Sequence, residues 1–257
     1  MLHVLLDPGL DGIRTARLRT MSGADELAAD EGTVALIDRL LVADAAGGLP
    51  PGSAARLPVA DRDRLLAALY RELFGEDIEA DAICSGCATP FELRFAMAAV
   101  LDGRSARRPD GVEGPDRLGR YRLGECVWRL PSTADLAAAS TQHDLLAACI
   151  VDGIVQSRED ELEQAMAALG PPLDVDIDAL CPRCGTTSPV RFEIGAYLLR
   201  CIANERRCLL AEAHRLARAY GWSCTEIMTL PRPERQAFVR LINAEAAPAR
   251  RHLSLVG

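Results

Sequence analysis

Two Cys-x-x-Cys pairs, Cys84-Ser-Gly-Cys87 and Cys181-Pro-Arg-Cys184, place the hardest demand on this chain. Each follows an acidic, apolar run, Asp77 to Ile83 and Asp174 to Leu180. Each leads into an alternating stretch, Phe91 to Phe95 and Val190 to Ile194. A Cys-x-x-Cys turn spaces two sulfurs for one metal ion, and two such turns supply the four thiolates of a closed structural zinc site. The leading reading is that Cys84, Cys87, Cys181 and Cys184 share one Zn2+. Two readings stay open beside it: the knuckles do not meet on one metal, or the pairs are redox-active. A redox pair needs a helix N-terminus to lower its thiol pKa, whereas these pairs lie between strand-like runs.

The remaining cysteines, Cys126, Cys149, Cys201, Cys208 and Cys224, make the total odd. That number, in a chain of 257 residues, argues for a reducing compartment over a disulfide scaffold. These five read as small apolar core residues. No run of about 18 apolar residues predicts a membrane span, and the N-terminus lacks the basic region of a signal peptide. The expected location is a reducing, cytoplasmic compartment. All 29 basic residues are arginine, and the formal charge is −8. An acidic balance weighs against sequence-independent nucleic-acid binding, which needs a basic face.

Residues 1–20 predict a strand or extended arm. Ser22 caps a helix with Asp25 in its first turn. Helical spacing covers Thr33 to Asp44, and Gly47 begins a break. Asp61 to Phe74 is a helix stopped by Gly75. Gly103 to Gly119, rich in Arg, Gly, Pro and Asp, reads as an exposed loop. Tyr121 to Leu130 reads as one strand, and Ser132 or Thr133 caps the next helix. Further helices cover Asp144–Val155 and Asp160–Leu169. The same order of elements precedes each knuckle, so the first three-quarters of the chain read as a duplicated module of about 100 residues. A long helix from Gly195 to Tyr220 follows, with Leu198, Ile202, Leu209, Leu216 and Tyr220 on one face. His214, near that face, reads as a packing residue. Ser223 and Glu226 have capping-box spacing, and Glu234 to Ala244 form a last helix.

The expected fold class is therefore α+β and mainly helical: a duplicated helix-plus-β-hairpin module joined by a four-Cys zinc knuckle pair, with a C-terminal helical region. The expected boundaries are 1–102 for the first module, 103–119 for the linker, 120–194 for the second module, 195–246 for the helical region and 247–257 for a mobile tail. Neither a phosphate loop nor an acid–base pair stands out, and a closed four-Cys site leaves no position for substrate. No enzymatic activity is expected.

Several stretches together resemble a known family. They are Cys181-Pro-Arg-Cys-Gly185, Ala211-Glu-Ala-His-Arg-Leu-Ala-Arg-Ala-Tyr-Gly-Trp222 and Glu226-Ile-Met-Thr-Leu-Pro231. Asp61 to Leu66 and Arg129 to Leu136 add to them. The chain looks like the baseplate-associated proteins of contractile phage tails and of phage-derived extracellular contractile injection systems. The resemblance implies a structural or assembly role, with other baseplate, hub or tail proteins as partners, in the bacterial cytoplasm or incorporated in a phage or injection-system particle. Trp222, Leu230 and Phe238 are candidate anchors for such a partner, because large apolar groups dominate interface energetics. The competing classes are a zinc-ribbon nucleic-acid-binding regulator and a thiol oxidoreductase.

Overall fold

The computed structural model describes residues 1–43, 48–153 and 158–246. Asp44, Gly47, Val155 and the tail from residue 247, all named above, lie outside them. Helix accounts for 49% of the described residues and strand for 26%, a mixed helix-and-sheet protein containing a four-cysteine cluster. Its contacts divide it into two compact units. One comprises Met1–Arg19 and Gly32–Arg200. The other comprises residues 20–31 with those from Cys201 onward. This division cuts the chain elsewhere than the sequence boundaries: both cysteine pairs fall in one unit, and the second borrows a short segment near the N-terminus.

The first unit opens with a hairpin of β1 (Leu2–Leu10) and β2 (Ile13–Leu18). What read as one arm in the sequence is thus two strands, turned by Asp11 and Gly12, both at positive φ. Helices α2 (Thr33–Leu40) and α3 (Val59–Phe74) follow, α2 ending short of the expected boundary. On these two helices Leu36, Ile37, Leu40, Leu65 and Leu66 are fully buried, the outcome of their helical spacing. Gly75, at φ +89, stops α3.

Strands β3 (Asp77–Ile83) and β4 (Pro90–Ala96) form a hairpin that carries the first Cys-x-x-Cys turn. Helix α4 (Met97–Gly103) comes next. The expected loop 103–119 is not wholly irregular: β5 (Val112–Glu113) pairs with β6 (Arg120–Leu123), and Val112 is buried. The single strand expected from Tyr121 to Leu130 is a hairpin of β6 and β7 (Cys126–Arg129), because Gly124 takes φ +60 and turns the chain. Helix α5 (Thr133–Ala138) is short. The helix expected from Asp144 starts at Gln142 as α6 (Gln142–Cys149) and gives way to β8 (Ile150–Asp152), which pairs with β7. Helix α7 (Glu159–Leu169) packs on this four-stranded sheet, with Trp128, Leu146, Cys149, Leu162 and Ala165 at the centre of the core. Tyr121 stacks on Trp128 with ring centroids 5.0 Å apart.

Strands β9 (Asp174–Leu180) and β10 (Thr187–Glu193) carry the second Cys-x-x-Cys turn. This hairpin matches β3–β4: all four strands are seven residues long, and each pair is in continuous register. The two hairpins pack face to face. Ala82, Phe91 and Ala179 are buried between them, and Phe95 meets Phe192 edge-on at 5.3 Å.

Helix α8 (Ile194–Tyr220) begins in the first unit and ends in the second. Gly221, at φ +70, follows its last residue. In the second unit, α1 (Gly23–Ala28) packs with α9 (Cys224–Thr229), and α10 (Arg232–Ala246) completes the core of Leu209, Ala213, Leu216, Ile227 and Met228. Arg235 is fully buried there. Its Nη2 donates to Glu26 at 2.6 Å and its Nε to Glu212 at 3.1 Å. Three packing expectations fail: His214, Cys208 and Cys224 are all exposed. His214 adjoins buried Ala213 but points off the apolar stripe, one helical step too far round.

Candidate metal centre

Each pair of cysteines is held by the turn between two long strands. In the first, the Cys84 N–H donates to the Thr89 carbonyl at 3.0 Å and the Ala88 N–H to the Cys84 carbonyl at 2.9 Å. In the second, the Cys181 N–H donates to Thr186 at 2.9 Å and the Gly185 N–H to Cys181 at 3.0 Å. The closing residue is left-handed in both turns, Ala88 at φ +55 and Gly185 at φ +74. Identical turns on stacked hairpins bring the four sulfurs together.

Their Sγ atoms all lie within 4.8 Å of one another. Across the two hairpins, Cys84 and Cys184 are 3.5 Å apart and Cys87 and Cys181 are 3.8 Å apart. A tetrahedral site with Zn–S bonds near 2.3 Å requires sulfur separations of about 3.8 Å, so the cluster has the size of a four-thiolate metal site. All nine cysteines are free thiols, and the cross-hairpin distances far exceed the ~2.05 Å of a disulfide. Cys84 and Cys181 are buried, Cys87 is half-buried and Cys184 is exposed.

The electrostatics favour the thiolate form at Cys84 and Cys184. The Cys84 thiol is pulled down to about 6, first by the backbone N–H of Cys87, against the effect of burial, and further by the Gly86 N–H. The Gly86 nitrogen is 3.3 Å from the Cys84 sulfur. Cys184 is lowered too, first by the Thr186 hydroxyl, whose oxygen lies 3.3 Å away. Cys181 moves the other way. The N–H groups of Cys184 and Arg183 draw it down, but burial and the crowding of Cys84 and Cys184 push it up. Four sulfurs this close cannot all ionise without a cation, which is the condition a metal ion satisfies.

A second ring of contacts ties one turn to the other. The Ser85 N–H donates to the Ser188 hydroxyl at 3.0 Å, and Arg183 donates to the Thr89 hydroxyl at 2.8 Å. The Thr89 oxygen lies 3.4 Å from the Cys87 sulfur. A methyl group on Gly86 would meet Thr186 at 2.7 Å, so glycine lets the two turns approach. The sequence reading missed this ring. A signal was present, since a threonine stands two residues after the second cysteine in both turns, Thr89 and Thr186.

The other predicted site residues lie in the second unit. Trp222 stacks on Tyr220 at 4.9 Å and meets Phe238 edge-on at 5.0 Å. All three are partly or fully exposed, and Leu241 beyond them is 55% exposed. Leu230 is half-buried, and its carbonyl accepts from the Gly23 N–H and from Arg235. No helix among the described residues is long and apolar enough to cross a membrane.

Comparison with protein families, curated proteins and solved structures finds no match to this chain.

Proposed function

We propose that this chain is a non-enzymatic structural or assembly component whose two hairpins are joined by one structural Zn2+ on Cys84, Cys87, Cys181 and Cys184. The convergence of the four sulfurs carries the reading. Four protein thiolates complete the tetrahedral shell of zinc, so the ion has no open position at which to activate water or polarise a substrate. Zinc suits an all-thiolate donor set, whereas magnesium and calcium take oxygen ligands. The matched strands, turns and left-handed closing residues support a duplicated module, with zinc as the staple between its copies.

The setting we propose is the baseplate of a contractile phage tail or of a phage-derived contractile injection system. The likeness of His214 to Trp222, and of the segments around Leu230-Pro231 and Leu130-Pro131, to baseplate-associated proteins is its support. The aromatic face of Tyr220, Trp222 and Phe238 offers a docking surface for another baseplate, hub or tail protein, with Leu230 as a further candidate anchor. With a formal charge of −8, the chain lacks the basic balance of a nucleic-acid-binding regulator.

Metal analysis and affinity isolation from cells that produce the whole particle test both parts. One zinc per chain is expected, lost in both Cys84→Ser and Cys181→Ser. Full zinc in either variant would overturn the shared site. Tail, sheath, tube or spike proteins are expected to co-purify with wild type and to be lost with Trp222→Ala. Their absence from the wild-type isolate would overturn the assembly role.

A further inference from the structure

Strand β1 has one paired edge and one open edge. On the far side of β2, the Arg17 carbonyl accepts the Val42 N–H at 3.0 Å and the Thr15 carbonyl accepts that of Leu49 at 3.4 Å. The backbone groups of Thr15 and Arg17 therefore point away from β1. Those of their register partners, Leu5 and His3, point away from β2. The N–H and C=O groups of His3 and Leu5 have no hydrogen-bond partner among the described residues. Further along, α3 closes the same edge. Asp61 accepts the N–H groups of Asp7 and Gly9, and Arg64 donates to the Asp7 carbonyl at 2.6 Å. The open part lacks the usual guards of an edge strand, since Leu2-His-Val-Leu5 contains no proline, no acidic residue, no arginine and no bulge.

A groove of about 570 Å3 runs between this edge and α3. The small side chains of Ala67 and Ala68 leave it room, and Leu2, Val4 and Leu101 make it apolar. Leu5, which also lines it, is 79% exposed. Of its charged residues, Arg64 is paired with Asp61 and Arg71 with Glu76. Glu72 is exposed and has no charged partner among the described residues.

We propose that this edge accepts an extended segment of a partner protein as a third strand beside β1. The unpaired backbone groups select a strand, because an extended main chain presents N–H and C=O groups at their spacing. The groove selects apolar side chains at the alternate positions that face α3, and Glu72 selects a basic one among them. A linear segment fits where a second copy does not. Pairing β1 with β1 would bring Asp61, Arg64 and α3 of both chains into one groove. The proposal uses neither the cysteine cluster nor the aromatic face.

The peptide acetyl-Val-Thr-Val-Thr-Lys-Thr-amide, added to the full chain, tests it. Amide exchange followed by NMR should show His3 and Leu5 gaining about tenfold or more protection near saturation. The Leu2 and Val4 amides, already paired with β2, should change little. A counterpart with Glu in place of Lys should bind about two- to fivefold more weakly, the gap closing at high salt. The isomer acetyl-Val-Val-Lys-Thr-Thr-Thr-amide, which has the same composition without the alternation, should not bind. Leu5→Pro removes one N–H of the open edge and none of the β1–β2 ladder, and should abolish binding. Ala68→Phe fills the groove with the edge intact and should abolish it too. The proposal fails if the alternating peptide leaves the His3 and Leu5 amides unprotected at millimolar concentration. It also fails if Leu5→Pro and Ala68→Phe bind the peptide as wild type does. Protection of both amides that rises with protein concentration alone would overturn it in favour of a second copy.

Discussion

Ala88 holds a backbone conformation that suits glycine. Its φ of +55 places Cβ close to a carbonyl oxygen, which costs about 1–2 kcal/mol for an L-residue. Gly185 occupies the same place in the other turn, at φ +74, and a methyl group added there would meet nothing within 4 Å. Backbone strain alone therefore separates the two residues. Ala88→Gly should stabilise the protein by about 0.5–1 kcal/mol, the relief being reduced by the greater freedom of glycine in the unfolded chain. Gly185→Ala should cost about 1–2 kcal/mol. Urea unfolding measures both, and a destabilised Ala88→Gly would contradict the turn geometry. Asp135 gives a pH-dependent counterpart. Burial would raise its carboxyl, but the Arg129 side chain, then the Ser132 hydroxyl and N–H, outweigh that and hold it at about 2, against an ordinary 3.8. A lowered acid contributes stability above its unfolded pKa and loses it as pH falls through the folded one. Asp135→Asn should thus cost roughly 1–3 kcal/mol at pH 7. The gap to wild type should close between about pH 4 and pH 2. A gap unchanged across that window would remove Asp135 as the titrating group.

Between elements, the same joint occurs twice. In the first unit, Pro58 bridges to Ser132, and the Thr133 N–H donates to the Leu57 carbonyl at 3.2 Å. In the second, Ser22 bridges to Pro231, and the Gly23 N–H donates to the Leu230 carbonyl at 3.2 Å. Each joint sets a Leu-Pro pair, which opens one helix, against the capping serine of another. Helix α3 adds two buried carboxylates to the first joint. Asp61 accepts the N–H groups of Asp7 and Gly9 from β1, at 2.7 and 2.8 Å, and Asp63 accepts that of Leu173 at 2.8 Å. Asp61→Ala would orphan two backbone donors and should cost about 2–4 kcal/mol, read from thermal or urea unfolding, with the β1 amides losing hydrogen-exchange protection first. Protection of β1 unchanged from wild type would show that the carboxylate does not anchor the hairpin. The two Cys-x-x-Cys turns, the long C-terminal helix and the Ser-x-x-Asp caps were legible because local chemistry dictates them: metal-ligand spacing, a 3.6-residue apolar period, an oxygen facing free N–H groups. The β6–β7 turn was not, since a single glycine at Gly124 interrupts an otherwise strand-like run. Strands β5 and β8 were not, since two or three residues become a strand only when a distant partner pairs with them. The buried role of Asp61 and Asp63 was hidden for the same reason: in sequence they look like the solvated first turn of a helix.

For the whole molecule, the division into two units predicts how removal of the proposed zinc propagates. The cysteine cluster belongs to the first unit, where the surface between the two hairpins is modest: Ala82, Phe91 and Ala179 with the sulfurs themselves, flanked by Leu93 and Val190. Two-stranded hairpins are marginal on their own in water, so this pair depends on what joins it. A second core of the unit, around Trp128 and Leu162, is separate and larger. The second unit has its own core and the buried Glu26–Arg235–Glu212 network, with no cysteine of the cluster in it. Chelation should therefore act locally. Hydrogen exchange after zinc removal should show amides of β3, β4, β9 and β10 losing protection by about two orders of magnitude or more, given the several kcal/mol that metal ligation contributes to such sites. The amides of α9, α10 and the C-terminal half of α8 should keep theirs. Acid should do the same as a chelator, because protons compete for the thiolates. Restoring zinc at neutral pH should restore protection. Uniform loss across both units would mean that the metal supports the fold as a whole. Unchanged protection in the hairpins would mean that packing of Phe95 on Phe192, and not the metal, holds them together.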